Sequence, residues 1–163
     1  YKCRKTEYYS DKTSASQEYW VNKEKDIDHN WFELTFLVAI NPKFSNGTTG
    51  YKDGEFKLFN STNQPIVTGK YYKKDRIGLW TFYYYDQNVK IESNFVQDKR
   101  IDEKYLTLNG ELFSGEFIYF DDENGIKEER KIKDGLRNGK TYYIDIKTDK
   151  TIKKDSFKSG ILK

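Results

Sequence analysis

A single cysteine, Cys3, stands in the 163-residue chain, so neither an internal disulfide framework nor a multi-thiolate metal site can be built. With no second thiol and no cysteine-protease context, Cys3 reads as incidental. Histidine is equally scarce. His29 is the only one, no Gly-x-Ser-x-Gly elbow occurs, and nothing supplies the serine and orienting acid of a hydrolytic triad; it reads as a turn residue between two apolar stretches. No run of about 18 apolar residues exists, the longest dense stretch being 34–40, which excludes a membrane-spanning helix. A phosphate-cradling glycine loop with its lysine is missing, as are the catalytic-loop and metal-binding triplets of kinases. No arginine-rich stripe or RNA-binding signature is present, which argues against nucleic acid as a partner.

The remaining candidates for chemistry fail on spacing. Asp121-Asp122-Glu123-Asn124-Gly125 clusters oxygens that suit Ca²⁺. Counting back from Gly125 as position 6 of an EF-hand loop, however, puts Phe120 at position 1, so the segment reads as a turn. Glu55 and Glu116 occupy equivalent places in a repeat described below. Two repeats of strands at about 4.8 Å each hold them too far apart for either glycosidase geometry. No catalytic, cofactor-binding or metal-binding residue is assigned, and we expect no enzyme activity and no cofactor.

What is present is aromatic. The chain holds 14 Tyr, 11 Phe and 3 Trp, with 36% hydrophobic and 34% charged residues and a mean hydropathy of −0.96. So polar a chain folds only if its few apolar groups are large, and rings that bury roughly 150–250 Å² each can stabilise a thin sheet without an aliphatic core. The net charge of +3 is unevenly spread. Residues 126–163 carry 12 Lys and Arg against 6 Asp and Glu, net +6, leaving 17 against 20, net −3, for the rest. Interspersed acids make a solvated, lysine-rich sheet face of the basic end, though it also favours anionic partners, an anionic membrane surface among them.

The spacing of the rings shows a repeat. Gly54-Glu55-Phe56-Lys57-Leu58-Phe59, Gly78-Leu79-Trp80-Thr81-Phe82-Tyr83, Gly115-Glu116-Phe117-Ile118-Tyr119-Phe120 and Gly139-Lys140-Thr141-Tyr142-Tyr143-Ile144 share a glycine and bulky residues at offsets 2, 4 and 5, Thr141 being the departure. The glycines lie 24, 37 and 24 residues apart; the long interval is one unit plus 13 residues, assigned to 105–113. A second landmark falls 17 residues after each of the first three glycines, at Tyr71, Phe95 and Ile132, and one place late at Phe157. Turn-like clusters follow it: Lys74-Asp75, Gln97-Asp98-Lys99, Lys133-Asp134-Gly135 and Ser159-Gly160. Between the two landmarks lie Asn60-Ser61-Thr62-Asn63, Asp86-Gln87-Asn88, Asp121-Asp122-Glu123-Asn124-Gly125 and Lys147-Thr148-Asp149-Lys150, so each unit reads as strand, turn, strand, turn. Pro65 sits where a strand would begin, a place that needs no donor.

Offsets 2 and 4 point to one face of a strand and offset 5 to the other, which calls for strong twist or a bulge near the glycine. The expected fold is all-β, an elongated, twisted antiparallel sheet of consecutive hairpins in which Phe56 packs beside Trp80, and Phe117 beside Thr141. Residues Gly54, Phe56, Phe59, Gly78, Trp80, Tyr83, Gly115, Phe117, Phe120, Gly139 and Ile144 are expected to be structural, with Trp80, Tyr83 and Phe120 among the rings between repeats. Residues 1–47 are expected to form a divergent amino-terminal cap and residues 48–163 an array of about four repeats. Within the cap, 31–40 alternates like a half-buried strand, Asn46-Gly47 looks like a hairpin turn, and 18–21 is a partner strand unless 14–25 forms a short helix.

The run Asn109-Gly110-Glu111-Leu112-Phe113-Ser114-Gly115-Glu116-Phe117-Ile118-Tyr119-Phe120, continued by Asn124-Gly125, Lys133-Asp134-Gly135 and Asn138-Gly139-Lys140, resembles the bacterial variant of the MORN repeat. That resemblance covers about 48–163 and is strongest over 109–144. It implies a β-hairpin array that acts as a binding or scaffolding surface and brings no catalytic residues. Two functional labels travel with it: an antitoxin component of toxin-antitoxin pairs, and phosphatidylinositol-4-phosphate 5-kinase. The second is unsupported, since the chain is too short for a separate kinase domain. We expect a protein partner, with Tyr84, Tyr85, Tyr142 and Tyr143 as a tyrosine-rich patch for it. An antitoxin-like inhibitor and a peripheral binder of anionic lipid are the alternatives. The chain opens at Tyr1 rather than a methionine, for which a cleaved signal peptide is one reading and a start omitted upstream the other; an exported or envelope-associated protein is favoured, with a cytoplasmic one as the alternative, and Tyr1-Lys2 before Cys3 does not make a lipobox.

Overall fold

The computed structural model describes the backbone of residues 2–8, 15–23 and 50–163, and the side chains from Lys52 onward. Apart from a single turn of 3-10 helix at Tyr85–Gln87, every regular element among them is a strand. In order these are β1 (Lys2–Tyr8), β2 (Ala15–Lys23), β3 (Gly50–Phe59), β4 (Pro65–Tyr72), β5 (Asp75–Tyr84), β6 (Val89–Val96), β7 (Lys99–Arg100), β8 (Lys104–Thr107), β9 (Gly115–Asp121), β10 (Ile126–Lys133), β11 (Leu136–Asp145), β12 (Lys150–Lys158) and β13 (Ile161–Leu162). From β1 to β7 and from β9 to β13 consecutive strands pair antiparallel, as expected of a hairpin repeat, while β8 pairs with β6. They divide between two sheets, one ordered β1 to β7 with β8 also on β6, the other ordered β13-β12-β11-β10-β9. The segment that had two readings is a strand, since β2 covers Ala15–Lys23. His29, the expected strand at 31–40 and the turn at Asn46-Gly47 lie outside the described residues.

The turn after each second strand is a two-residue loop with both central residues at positive φ: Lys73 and Lys74, Gln97 and Asp98, Asp134 and Gly135, Ser159 and Gly160. That is the type I′ geometry, whose twist matches the flanking strands. From each turn one N–H reaches sideways to the carbonyl two residues before the unit's glycine: Lys74 to Lys52, Asp98 to Arg76, Gly135 to Phe113 and Gly160 to Arg137, at 2.8–3.1 Å. One stitch thus recurs in all four units. The second landmark lies across the ladder from the glycine, Tyr71 from Gly54, Ile132 from Gly115 and Phe157 from Gly139. Phe157 is late by one because the register slips between Tyr143 and Ile144, where Ile152 is the extra residue of a bulge.

Three of the four repeat glycines mark bulges, Gly115 being the exception at the start of β9. Against β2, β4 and β10 the register slips by two, so that three residues including Gly54, Gly78 or Gly139 face one residue of the preceding strand. All four repeat glycines have positive φ, 126°, 63°, 153° and 108° in order, a conformation that disfavours a side chain. The 13-residue excess forms β8 and a loop closed by Thr107, Asn109-Gly110 and Glu111, with the buried Tyr105 at its centre.

The chain folds as two compact units, residues 1–83 with 93–102 and residues 84–92 with 103–163. In the first, Phe56, Leu58, Tyr71, Trp80 and Phe95 form the core, with Ile66, Val67 and Phe82 against it. Phe56 stacks on Trp80 at 5.6 Å between centroids, and Tyr71 stands edge-on to both. In the second, Phe117 is wholly buried among Tyr84 and Tyr105, at 4.9 and 5.4 Å.

Candidate functional site

The offset-2 side chains are the most deeply buried set, with Phe56 at 1%, Trp80 at 2%, Phe117 at 0% and even Thr141 at 1% exposure. Phe56 and Trp80 stack on one another within the first unit, and Phe117 packs within the second. Phe59 and Tyr83 are half-buried and Ile144 is buried. Phe120 departs from the expected packing. It is 53% exposed because it alternates away from Phe117 and lies beside Lys127 of β10.

The four candidate tyrosines are all half-buried and do not share one face. Tyr84 is edge-on to Phe117. Tyr142 and Tyr143 are neighbours on β11 and so point to opposite faces. Lys154 lies 5.4 Å over the Tyr142 ring and Lys153 lies 4.8 Å over that of Tyr143. Burial, followed by a hydrogen bond to Asp155, raises the Tyr143 hydroxyl above its ordinary pKa. Tyr85 belongs to the 3-10 turn.

A charged interior is the part that the repeat pattern missed. Arg130, 4% exposed, donates from Nη1 to the Tyr105 hydroxyl at 2.8 Å and from Nε to Glu128 at 2.9 Å. Arg137 donates from Nε to Glu103 at 2.7 Å, and Glu103 also lies 3.4 Å from Arg130. Two guanidinium groups and two carboxylates neutralise one another, which a buried ion cluster requires. Tyr105 is pushed up to about 12, chiefly by its burial. These side chains have room because Thr141, opposite Arg130 on the ladder, is small. In the first unit the sizes are reversed: Gly69 lies under the Trp80 ring, whose carbons would sit 2.2–2.6 Å from any Cβ there. Gly69 and Arg130 both fall at offset 15, so reading that position against offset 2 of the following unit would have found the pair.

Three surface features remain. A cavity of about 250 Å³ is lined by Gln87, Phe117, Glu129, Lys131, Lys140 and Tyr142 among others. Its wall includes the outer edge of β9, where the Gln87 amide donates to the Ile118 carbonyl at 2.7 Å and accepts its N–H at 2.8 Å. A side chain thus imitates a neighbouring strand there. A more open groove of about 650 Å³ crosses Gly69, Gly78 and Leu79.

The third is the outer edge of β12. Beyond the two pairs with β13, at Phe157 and Lys158, no described strand lies against it. Its side chains include the exposed Lys150, Lys153, Lys154 and Lys158. Lys153 bonds Asp155 at 2.8 Å, a contact that holds the Asp155 carboxyl below its usual range. Asp121, the cation candidate, accepts the backbone and side-chain N–H groups of Asn124 instead, an Asx-type turn. Among the described residues no group of three His, Cys, Asp or Glu is arranged to hold a metal ion. Comparison with protein-family models and with curated proteins returns no match for this chain.

Proposed function

We propose that this chain is a MORN-type repeat protein that works as a non-catalytic interaction scaffold for a protein partner. The observation that carries the reading is one hairpin unit recurring four times with the same sideways stitch, whose strands carry exposed side chains such as Phe120, Lys153 and Lys154 for a partner to meet. The interior speaks for the same reading, since Arg130, Arg137, Glu103 and Glu128 are spent on one another. Four units with the same sideways stitch support the MORN-type assignment.

The test is quantitative capture from cells that make the protein, using the intact chain and, as controls, the Trp80→Ala and Phe117→Ala variants, which open the core of the first and of the second unit respectively. A stoichiometric protein partner retained by the intact chain and lost by at least one of the controls is the expected result. If the partner is a toxin whose activity falls on binding, the scaffold is an inhibitor. Recovery of anionic lipid without protein, or lipid-kinase turnover by the purified chain, overturns the proposal.

A further inference from the structure

We infer that each compact unit carries the same binding groove on its outer face, and that the groove takes an aliphatic side chain of the partner protein flanked by carboxylates. The inference rests on the scaffold reading above and names the chemistry of what the scaffold holds.

The groove across Gly69 and the cavity beside β9 occupy one place in the repeat. The first is walled by Glu55, Lys57, Lys70 and Leu79, the second by Glu116, Ile118, Lys131 and Lys140. Counted from Gly54 and from Gly115, Glu55 and Glu116 fall at offset 1, Lys57 and Ile118 at offset 3, and Lys70 and Lys131 at offset 16. Leu79 and Lys140 each follow the next repeat glycine. Phe56 and Phe117 at offset 2 are buried, so offsets 1 and 3 point to the opposite, outer face. In both places the third strand is bulged, at Gly78 and at Gly139; a bulge bends its strand and strengthens the twist, which hollows the face there. Each groove lies within one unit.

The chemistry recurs with a change of sides. Both grooves hold a Glu across the ladder from a Lys, Glu55 from Lys70 and Glu116 from Lys131, together with a second Lys and an exposed aliphatic residue. In the first groove the second Lys is Lys57 at offset 3 and the aliphatic residue is Leu79, 53% exposed. In the second, offset 3 holds the aliphatic Ile118, 39% exposed, and Lys140 stands where Leu79 did. A solvated face is indifferent to which residues sit on it, so an exchange that keeps both kinds points to something that touches both.

Charge selects the occupant. In the second groove Glu129 is engaged by Lys127 at 3.2 Å, and Glu116 lies 4.0 Å from Lys131, which leaves Lys140 without a carboxylate among the described residues. In the first, Glu18 of β2 stands opposite Lys57 on the ladder, so the second groove is the more basic. An acidic residue of the partner completes an ion pair there, and an aliphatic neighbour covers Ile118 or Leu79.

The probe is the acetylated, amidated peptide Gly-Asp-Leu-Asp-Gly, titrated into the whole protein labelled with nitrogen-15 and followed by amide shifts. Saturable shifts are expected at Glu116, Lys131 and Lys140 and, at higher peptide concentration, at Glu55, Lys70 and Leu79. Peptides with Asn in place of Asp, or Gly in place of Leu, should each bind about tenfold more weakly. Ile118→Lys removes the aliphatic wall of the second groove and Lys140→Leu removes its ammonium; each should weaken that groove about tenfold and leave the first unchanged. Together the two substitutions give the second groove the arrangement of the first, and the double variant should regain most of the lost affinity, where independent losses would add. All three variants should melt close to the parent, since both positions are exposed. A double variant no better than the singles, equal binding of the altered peptides, or no saturable shift at either groove overturns the inference. So does displacement of the peptide by vesicles of anionic phospholipid, or a dimer in sedimentation that Lys140→Leu breaks. Capture of the same native partner by the parent and by a variant carrying Leu79→Ser and Lys140→Leu would sink the grooves and leave the scaffold reading standing, whereas no stoichiometric partner for either would sink the scaffold reading itself.

Discussion

Gly69 has no side chain because the Trp80 indole occupies the place where one would go, and the ring is fixed there by a hydrogen bond from Nε1 to the Lys70 carbonyl at 3.2 Å. Gly69→Ala therefore has to displace backbone or the largest ring of the core, and a loss of about 3 kcal/mol, at the upper end for overpacking, is expected in urea unfolding. Adding Trp80→Leu to Gly69→Ala should recover part of that loss, which two independent sites would not do. Tyr71 shows the opposite economy. Its hydroxyl is buried with no hydrogen-bond partner, and burial, opposed by the Arg76 charge, raises its pKa well beyond the ordinary tyrosine value. Tyr71→Phe removes an unsatisfied polar atom and should raise stability by about 1 kcal/mol. The pH dependence carries a sign. The unfolded chain loses the phenolic proton near pH 10 while the folded chain keeps it, so the unfolded state binds fewer protons and stability falls as pH rises. Tyr105, at about 12 in the folded chain, keeps its full contribution below pH 10 and loses it between 10 and about 12. Denaturant midpoints measured over that window should fall less steeply for Tyr71→Phe than for the parent.

At the scale of the element, the four I′ turns differ in how well their residues suit positive φ. Asp134-Gly135 and Ser159-Gly160 place a glycine second, whereas Lys73-Lys74 places none. Replacing Lys73-Lys74 by Asn-Gly should stabilise the first unit by about 1 kcal/mol, since two left-handed lysines store strain of that order, and thermal unfolding would show it. Gly135→Ala and Gly160→Ala both force alanine to positive φ, but only at Gly135 would the new Cβ meet the Tyr105 carbonyl and Leu112 at 2.9 Å. Gly135→Ala should accordingly be the more damaging, by more than about 1 kcal/mol; equal losses would mean that the turn backbone relaxes away from Tyr105. These elements show what the residues disclose and what they conceal. The period of the glycines and rings gave strands, turns and bulges, because each unit repeats the same local conflict between a crowded face and a twisted ladder. Phe120 was misplaced because proximity to a repeat glycine says less than the parity of its offset. The Arg130 cluster was hidden because Tyr105 comes from the insertion and Glu103 from the residues just before it, and its partners Glu128 and Arg137 acquire meaning only once β10 and β11 are paired. The four tyrosines read as one patch in sequence, yet two of them are neighbours on a strand and must face apart.

For the molecule as a whole, repetition means that each unit's stability comes mostly from the strands beside it. The four sideways stitches are short in sequence, each spanning 22 or 23 residues, so each ties a turn to its own repeat. A cavity in one unit should then be felt mainly by its neighbours. Phe117 lies among Tyr84 and Tyr105 with the Arg130 guanidinium 5.9 Å from its ring, and Phe117→Ala should cost about 3–5 kcal/mol there. Amide exchange read by mass spectrometry should show β9, β10 and β11 losing protection by orders of magnitude, as expected when local opening approaches the cost of the cavity. Peptides from β3 and β4 should keep most of theirs, because Phe56, Tyr71 and Trp80 still pack on one another. A uniform loss across all these strands would make the chain one cooperative body and remove the basis for treating its four units as separable steps.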